Sequence, residues 1–520
     1  MCGQPPAPKK GAAAHKSTGA GADRSGQLMC YKNRSTPSAI DMPHKGIVGL
    51  CAARAKGAAE RKRGQQFRTR FHWSPLDERD GQVSQAPPGP PAPSCGVGRR
   101  VILSPMLRPR ATHMKGKTKM NVIFAALIAG AVVCAALEPA TAAMGGAGAE
   151  SVLHSFGNGS DGSKPFAGLT ALKGMLYGTT INGGAHGDGT VFAIDRKSGA
   201  ETVLYSFCSL QDCADGEEPY GNLVAFKGQL YGTTFGGGSG QGGTIYKFDL
   251  KTGTVTIVYT FCSLQNCGDG GESLAGLTAM NGMLYGTAFI GGAHGFGDVF
   301  SLDPKTGAEK VLYSFCSLDN CADGNETLSN LLSLNGTLYG TTIIGGAHKY
   351  GTAFSVDPKT GALTVLYSFC SADGCTDGGA AESGLIAVNG ALYGTTYGGG
   401  ADDMGTVFSL DPATGAEAVV YSFCGKAGCA DGSIPYAGLL DQSGTLYGMT
   451  TDGGAKGYGT VFSLDPKTGA ETVLYSFCSR QDCADGEGSD ASLIDMKGKL
   501  YGTTFFGGAY DLGTVFALKP

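Results

Sequence analysis

A Leu-Tyr-Gly signature, followed by Thr-Thr or a close variant, returns every 54 residues without drift. Its tyrosines are Tyr177, Tyr231, Tyr285, Tyr339, Tyr393, Tyr447 and Tyr501. A fixed period of this order marks units that cannot bury their apolar face alone and must stack on copies of themselves, as a solenoid, a propeller or an array. The period overrides what length suggests: 520 residues leave room for several domains, but stacked copies share one.

One unit reads as four short β-runs. Phe166 to Gly174 is an apolar run ending in a Gly turn, and Met175 to Thr180 is rich in β-formers. A Gly-rich loop through Gly189 leads to Thr190–Asp195, and a turn leads to Glu201–Phe207. Turn residues separate the runs and no helical period interrupts them, which is the pattern of a four-stranded antiparallel sheet. Repeated units of this kind are propeller blades, and seven falls in the usual range of four to eight. The 87 glycines therefore belong to tight turns. The expected fold is all-β: a seven-bladed β-propeller over residues 144–520.

The phase of the repeat carries a further expectation. The first run, Ser151 to Phe156, is a fourth-type strand with no first three before it. The last, Gly513 to Leu518, is a third-type strand with no fourth after it. The N-terminal strand then completes the C-terminal blade and closes the ring, which removes exposed sheet edges.

Residues 114–143 read as a signal peptide. A basic stretch, Met114 to Met120, precedes an apolar run from Val122 to Leu137 and an Ala-x-Ala-like region, with cleavage expected near Ala142/Ala143. The run is short for a membrane span, and no second apolar segment follows, so the mature chain is expected to have no transmembrane segment. Cys134 fits lipid attachment poorly, because Val133 directly precedes it. Residues 1–113 lack periodicity and read either as a misassigned upstream extension, with translation starting at Met114 or Met120, or as a disordered basic tail.

Charge separates these regions. Residues 1–113 hold 19 Lys/Arg and 6 Asp/Glu, whereas residues 144–520 hold 18 and 37. An acidic surface repels phosphate, so no nucleic-acid partner is expected.

Twelve of the 17 cysteines form six pairs with four residues between members. They are Cys208 and Cys213, Cys262 and Cys267, Cys316 and Cys321, Cys370 and Cys375, Cys424 and Cys429, and Cys478 and Cys483. Even number, fixed spacing and an export signal point to six local disulfides. Metal is the competing reading, but two cysteines make only half of a tetrahedral zinc set.

Each loop leading into a new unit carries Asp-Gly, at Asp161, Asp215, Asp269, Asp323, Asp377, Asp431 and Asp485. One reading is a turn in which the carboxylate accepts backbone N–H groups. The other is a ring of carboxylates for Ca²⁺, which requires several oxygens to converge on each ion. No other cofactor is expected.

The long loops, between second and third strands and between successive units, emerge on one face, which is the expected binding face. The residue after Gly-Gly-Ala varies there: His186, His294 and His348, with Gly240, Asp402, Lys456 and Tyr510 at the matching positions. His186, His294, His348, Asp402 and Tyr510 are the candidate ligand contacts, set against a reading as solvated loop tips. Phe235, Phe289, Tyr397, Phe505 and Phe506 offer aromatic surface there or pack between blades. His154 replaces the Tyr of the fourth strand and reads as structural. No catalytic constellation stands out. A Ser elbow needs a strand–turn–helix, and the Gly-rich loops precede strands rather than phosphate-cradling helices.

Leu-Tyr-Gly-Thr-Thr, Gly-Gly-Ala, Gly-Thr-Val-Phe and Val-Leu-Tyr-Ser-Phe together resemble the GloVer (Gloeobacter/Verrucomicrobia) repeat of choice-of-anchor tandem-repeat proteins, over roughly residues 151–520. The resemblance implies a bacterial, exported protein and often a C-terminal sorting anchor. This sequence departs from the anchor pattern, ending at Pro520 two residues past the last strand. The paired glycines after the second strand are also similar to a kelch unit, which bears on the blade and not on function. The functional expectation is a secreted, periplasmic or extracellular, non-enzymatic binding module whose partner is a glycan or another exported protein. The alternatives are a polysaccharide lyase or hydrolase on the same face, and a structural surface protein.

Overall fold

The computed structural model describes residues 150–157 and 160–520. The N-terminal extension and the expected signal peptide lie outside the described residues. Seven four-stranded antiparallel sheets form a seven-bladed β-propeller. The first sheet runs Thr170–Leu172, Met175–Thr180, Thr190–Ile194, Glu201–Ser206 from its inner to its outer strand. The pattern recurs through the chain to a seventh sheet of Ile494–Asp495, Leu500–Thr504 and Thr514–Leu518, whose outer strand is Glu150–Ser155. That N-terminal strand pairs antiparallel with Thr514–Leu518, Glu150 opposite Leu518 and Ser155 opposite Thr514.

The glycine of the signature has a packing reason. Gly178 lies opposite Phe192 in the register, and a Cβ on Gly178 would meet the Phe192 ring at 2.5 Å. The Phe192 side chain thus lies flat over the neighbouring strand. The outer strand is bulged: Val191 pairs with Tyr205 and Phe192 with Val203, leaving Leu204 unmatched. A bulge sharpens the local twist, and the same shift occurs in every sheet.

The core lies between the sheets. The phenylalanine after each outer strand packs edge-on against the third-strand aromatic of the next sheet. The pairs are Phe156–Phe192, Phe207–Tyr246, Phe261–Phe300, Phe315–Phe354, Phe369–Phe408, Phe423–Phe462 and Phe477–Phe516, at 5.0–5.3 Å between centroids. Edge-to-face pairs of this kind add to what area burial provides. The first and seventh sheets use the same contact as the other pairs, with Leu169, Leu176 and Ile194 clustered on Tyr501, Val515 and Ala517.

Candidate functional site

The seven Asp-Gly positions form the turns between sheets. Asp215 is buried. It accepts from Tyr205 Oη at 2.7 Å, Ser209 N at 2.9 Å, Ser209 Oγ at 2.8 Å and Leu210 N at 3.0 Å. Asp269, Asp323, Asp377 and Asp485 repeat this set. Burial pushes these five carboxyls up, but the tyrosine, serine and backbone bonds outweigh it and hold them below the ordinary range. Asp431 accepts from Tyr421 Oη and from the backbone of Gly425 and Lys426. At Asp161 the tyrosine's place is taken by His154, whose Nε2 lies 3.1 Å from the carboxylate. Donors of its own loop therefore surround each carboxylate.

All six cysteine pairs are disulfides. Cys208 is bonded to Cys213, Cys262 to Cys267, Cys316 to Cys321, Cys370 to Cys375, Cys424 to Cys429 and Cys478 to Cys483. In this oxidised form they serve as loop staples. Both cysteines of each pair sit at positive φ, a region that non-glycine residues rarely occupy. The bridge thus holds a curled loop that the backbone alone disfavours. Gly238 N and Gly216 N both donate to Cys213 O, at 2.9 and 2.8 Å, tying this loop to the Gly-rich one of the next sheet. The second cysteine of each later pair repeats the tie. Cys267 O accepts from Gly270 and Gly292, Cys321 O from Gly324 and Gly346, and Cys375 O from Gly378 and Gly400. Cys429 O accepts from Gly432 and Gly454, and Cys483 O from Gly486 and Gly508.

The loop tips do not converge. His186, His294, His348, Asp402, Lys456 and Tyr510 are all exposed. The neighbouring backbone N–H of Ala185, Ala293, Ala347, Ala401 and Ala455 donates to a serine hydroxyl at the end of the outer strand of the same sheet. The tips therefore sit over the outer strands, apart from one another around the rim.

Convergence occurs at the axis instead. The inner strands of successive sheets neighbour one another. The residue entering each inner strand is Phe166, Tyr220, Leu274, Leu328, Glu382, Tyr436 and Asp490, at 54-residue steps. The Phe166 ring lies 5.2 Å from Tyr220, 5.8 Å from Tyr436 and 6.2 Å from Phe505, contacts that reach the second, sixth and seventh sheets. It thus lies at the axial mouth on the long-loop face, half-buried. Beside it, Tyr436 donates to Glu382, and Thr451 Oγ1 donates to Asp490 Oδ1 at 3.0 Å. Burial pushes the Glu382 carboxyl up to about 7; the Tyr436 bond opposes this and the Asp490 charge adds to it. Burial takes Asp490 to about 6, opposed by Thr451 and helped by the Asp452 charge. Tyr397 is raised by burial and by Glu382, Asp452 and Asp490. Three carboxyls and two tyrosines therefore share one side of the mouth, facing aromatic rings on the other. Of this set only Tyr397 stands out within its own unit. The signal of the set was the one column of the repeat that turns from Phe, Tyr and Leu to Glu, Tyr and Asp.

On the short-turn face, a cleft of about 550 Å³ is lined by Asn389, Asp441, Ser443, Asp465 and Lys467, among others. A smaller one, about 260 Å³, lies at Lys173, Asp195 and Lys197.

Residues 143–331 and 318–516 match the Gloeobacter/Verrucomicrobia repeat. The chain belongs to that family. No curated protein matches this Gloeobacter/Verrucomicrobia repeat protein in sequence. Among solved structures it is similar to the extracellular domain of a protein named as a hybrid two-component system of B. thetaiotaomicron. That likeness has a TM-score of 0.47 and 11% identity, and covers 71% of this chain and 39% of that one. An oligogalacturonate lyase in complex with manganese follows, with a TM-score of 0.42 and 10% identity over 72% of this chain and 93% of the lyase. A puromycin-hydrolysing peptidase of Mycobacterium tuberculosis is similar at a TM-score of 0.43 and 13% identity, covering 68% and 50%. Likenesses this distant carry no activity to the repeat protein. Among its described residues, no helix is long and apolar enough to cross a membrane.

Proposed function

We propose that the protein is an exported β-propeller that binds its ligand without transforming it, and that the ligand, a glycan, docks at the axial mouth of the long-loop face. One observation carries this reading. In a near-uniform repeat, the axial column alone gathers Glu382, Tyr436 and Asp490 on three successive sheets, opposite the rings of Phe166 and Tyr220. Aromatic faces stack on the C–H faces of sugars, while carboxyl and phenol oxygens pair with hydroxyls. A site of this kind has an apolar floor and a few placed polar groups. Six disulfides agree with an oxidising compartment. The Asp-Gly residues are, on this reading, turn locks rather than a calcium ring.

A second reading, a polysaccharide-acting enzyme, draws on Glu382 near 7 and Asp490 near 6. Two carboxyls held at such values suit proton transfer at neutral pH. One experiment separates the two readings: residues 144–520 on a glycan array, with and without Ca²⁺, with released product monitored. Retention without release, lost in the Glu382→Gln/Asp490→Asn variant, supports the binding module. Release of fragments moves the enzyme to first place. Loss of retention on chelation revives the calcium ring. Silence on every glycan removes the glycan and leaves an exported protein as partner.

A further inference from the structure

One disulfide loop differs from the other five in what surrounds its sulfurs. Asp188, in the Gly-rich loop of the first sheet, and Glu217, two residues past Asp215, reach Cys208 and Cys213. The four ligand atoms, two Sγ and two carboxylate oxygens, all lie within 4.8 Å of one another, and all four residues are half-buried.

The next loop makes the same approach to its sulfur. The positions matching Asp188 and Glu217 in the next loop are Gly242 and Gly271. A Cβ placed on either would meet Cys262 Sγ, at 2.3 and 2.9 Å respectively. In that loop both positions border the sulfur, whereas at Gly379, the match to Glu217 beside Cys370 and Cys375, a Cβ would meet the Tyr350 side chain at 3.4 Å. The matching pairs are Phe296 and Asn325 beside Cys316 and Cys321, Tyr350 and Gly379 beside Cys370 and Cys375, Met404 and Ser433 beside Cys424 and Cys429, and Tyr458 and Glu487 beside Cys478 and Cys483. Only the Cys208–Cys213 loop has a carboxylate at both. The Cys478–Cys483 loop has one, and gathers three donors rather than four.

We infer that the Cys208–Cys213 loop is a redox-gated site for zinc, held by the two thiolates together with Asp188 and Glu217. Two thiolates and two carboxylates are a tetrahedral donor set of the kinds zinc takes. The oxidised loop lacks it, because a disulfide sulfur has no anionic lone pair to offer. Opening the gate requires a thiol reductant. A dithiol transfers two electrons and two protons to the Cys208–Cys213 bond, leaving two protein thiols and closing its own sulfur–sulfur bond. Zinc then displaces the two thiol protons to solvent. Four anionic ligands around a divalent ion leave the site at a net charge of −2, and the half-buried loop shields it from competing water.

The other loops are built-in controls. The test uses the full chain with every cysteine except Cys208 and Cys213 replaced by serine, beside a counterpart that keeps only Cys262 and Cys267. Each is reduced with a dithiol, freed of reductant under nitrogen, exposed to zinc and measured for bound metal per chain; cobalt(II) then reports thiolate coordination by its charge-transfer absorption. The expected result is one tightly bound zinc in the first protein, at least tenfold weaker binding in the second, and loss of binding on reoxidation. Asp188→Asn/Glu217→Gln in the first protein should weaken zinc at least tenfold and leave the circular dichroism unchanged. Equal zinc in both proteins, binding that survives reoxidation, no zinc in either, or indifference to the carboxamide pair would each overturn the inference.

Discussion

Ala288 and Asp298 face each other across the third sheet at the position where every other sheet sets two threonines. In the other six, the hydroxyls bond at 2.8–3.0 Å, as at Thr180 and Thr190 or Thr342 and Thr352. Asp298 is fully buried, and neither carboxyl oxygen has a hydrogen-bond partner. Burial, then the charges of Glu309 and Asp269, push its carboxyl well above the ordinary value. Restoring the repeat with Ala288→Thr/Asp298→Thr is expected to stabilise the protein by ~1–3 kcal/mol, the usual cost of leaving a buried polar group unpaired. Denaturant melts at pH 7 measure this, and unchanged or lowered stability would show that Asp298 has a partner.

The rim of the propeller should lose stability as pH rises towards 7. Glu201, Glu309 and Glu417 start the outer strands of the first, third and fifth sheets. Burial pushes each to about 7, helped by Asp161, Asp269 and Asp377 of the preceding sheet; Tyr259 and Tyr367 oppose the shift at Glu309 and Glu417. A carboxyl whose folded value is raised binds more protons folded than unfolded between the two values. Its contribution is therefore complete below the ordinary value near 4.5 and is lost as pH climbs through about 7. Two related glutamates have gained a cation. Lys426 Nζ lies 2.7 Å from Glu471, and an Arg480 nitrogen lies 2.6 Å from Glu150. Glu201→Gln/Glu309→Gln/Glu417→Gln should flatten the stability profile between pH 5 and 7. It should cut proton release on unfolding by up to about one proton per glutamate. Titration calorimetry of unfolding reads the difference, and an unchanged slope sinks the assignment.

The turn aspartates are expected to act through protein donors alone. Asp323→Ala orphans the N–H groups of Ser317 and Leu318 and leaves the Tyr313 hydroxyl with Ser317 Oγ as its one remaining partner. It should cost ~2–4 kcal/mol, against about 1 kcal/mol for Tyr313→Phe, because charged acceptors and buried orphans weigh more than a single neutral bond. Calcium or a chelator should leave the melting midpoint of the parent protein where it is. A calcium-dependent rise would instead establish the carboxylate ring as a metal site.

The architecture was legible because it is written seven times. Period, turn residues and the phase of the first and last strands together specify four-stranded sheets and a split seventh one. The Gly178–Phe192 fit explains why the signature is so uniform. The axial site was far less legible, since Glu382, Tyr436 and Asp490 are unremarked residues within their own units and stand out only when read down a column. The histidine-bearing tips drew notice for their chemistry, yet the outer-strand serines hold them at the rim. Asp188 and Cys208 meet through the packing of a Gly-rich loop on the next turn, which spacing along the chain does not encode.

At the axial mouth, Glu382→Gln and Asp490→Asn should each weaken glycan retention by about tenfold, the loss of one charge-assisted hydrogen bond. The Tyr436→Phe change removes the donor to Glu382 and should weaken it less. Stability should hold or rise in the carboxamide variants, because each removes one of several neighbouring carboxyls, Glu382 and Asp490 being half-buried. Retention that falls only together with the melting midpoint would make these residues structural.

The N-terminal strand offers the sharpest test of how the seventh sheet is completed. Glu150–Ser155 supplies its outer strand, Phe156 packs fully buried on Phe192 of the first sheet, and Arg480 of the preceding turn holds Glu150. Without this segment, Thr514–Leu518 becomes an unpaired edge of apolar residues, a template for pairing with another chain. Phe156→Ala should cost ~3–5 kcal/mol, as for other buried phenylalanines. A chain starting at residue 160 should melt earlier and associate, with light scattering rising at concentrations where the parent stays monodisperse. Adding a peptide of residues 148–158 in excess should restore the midpoint in proportion to its concentration, since a ligand that binds only the folded state stabilises it by mass action. A truncated chain as stable and as dispersed as the parent would mean that the first and seventh sheets hold together through Leu169, Leu176 and Tyr501 without the strand.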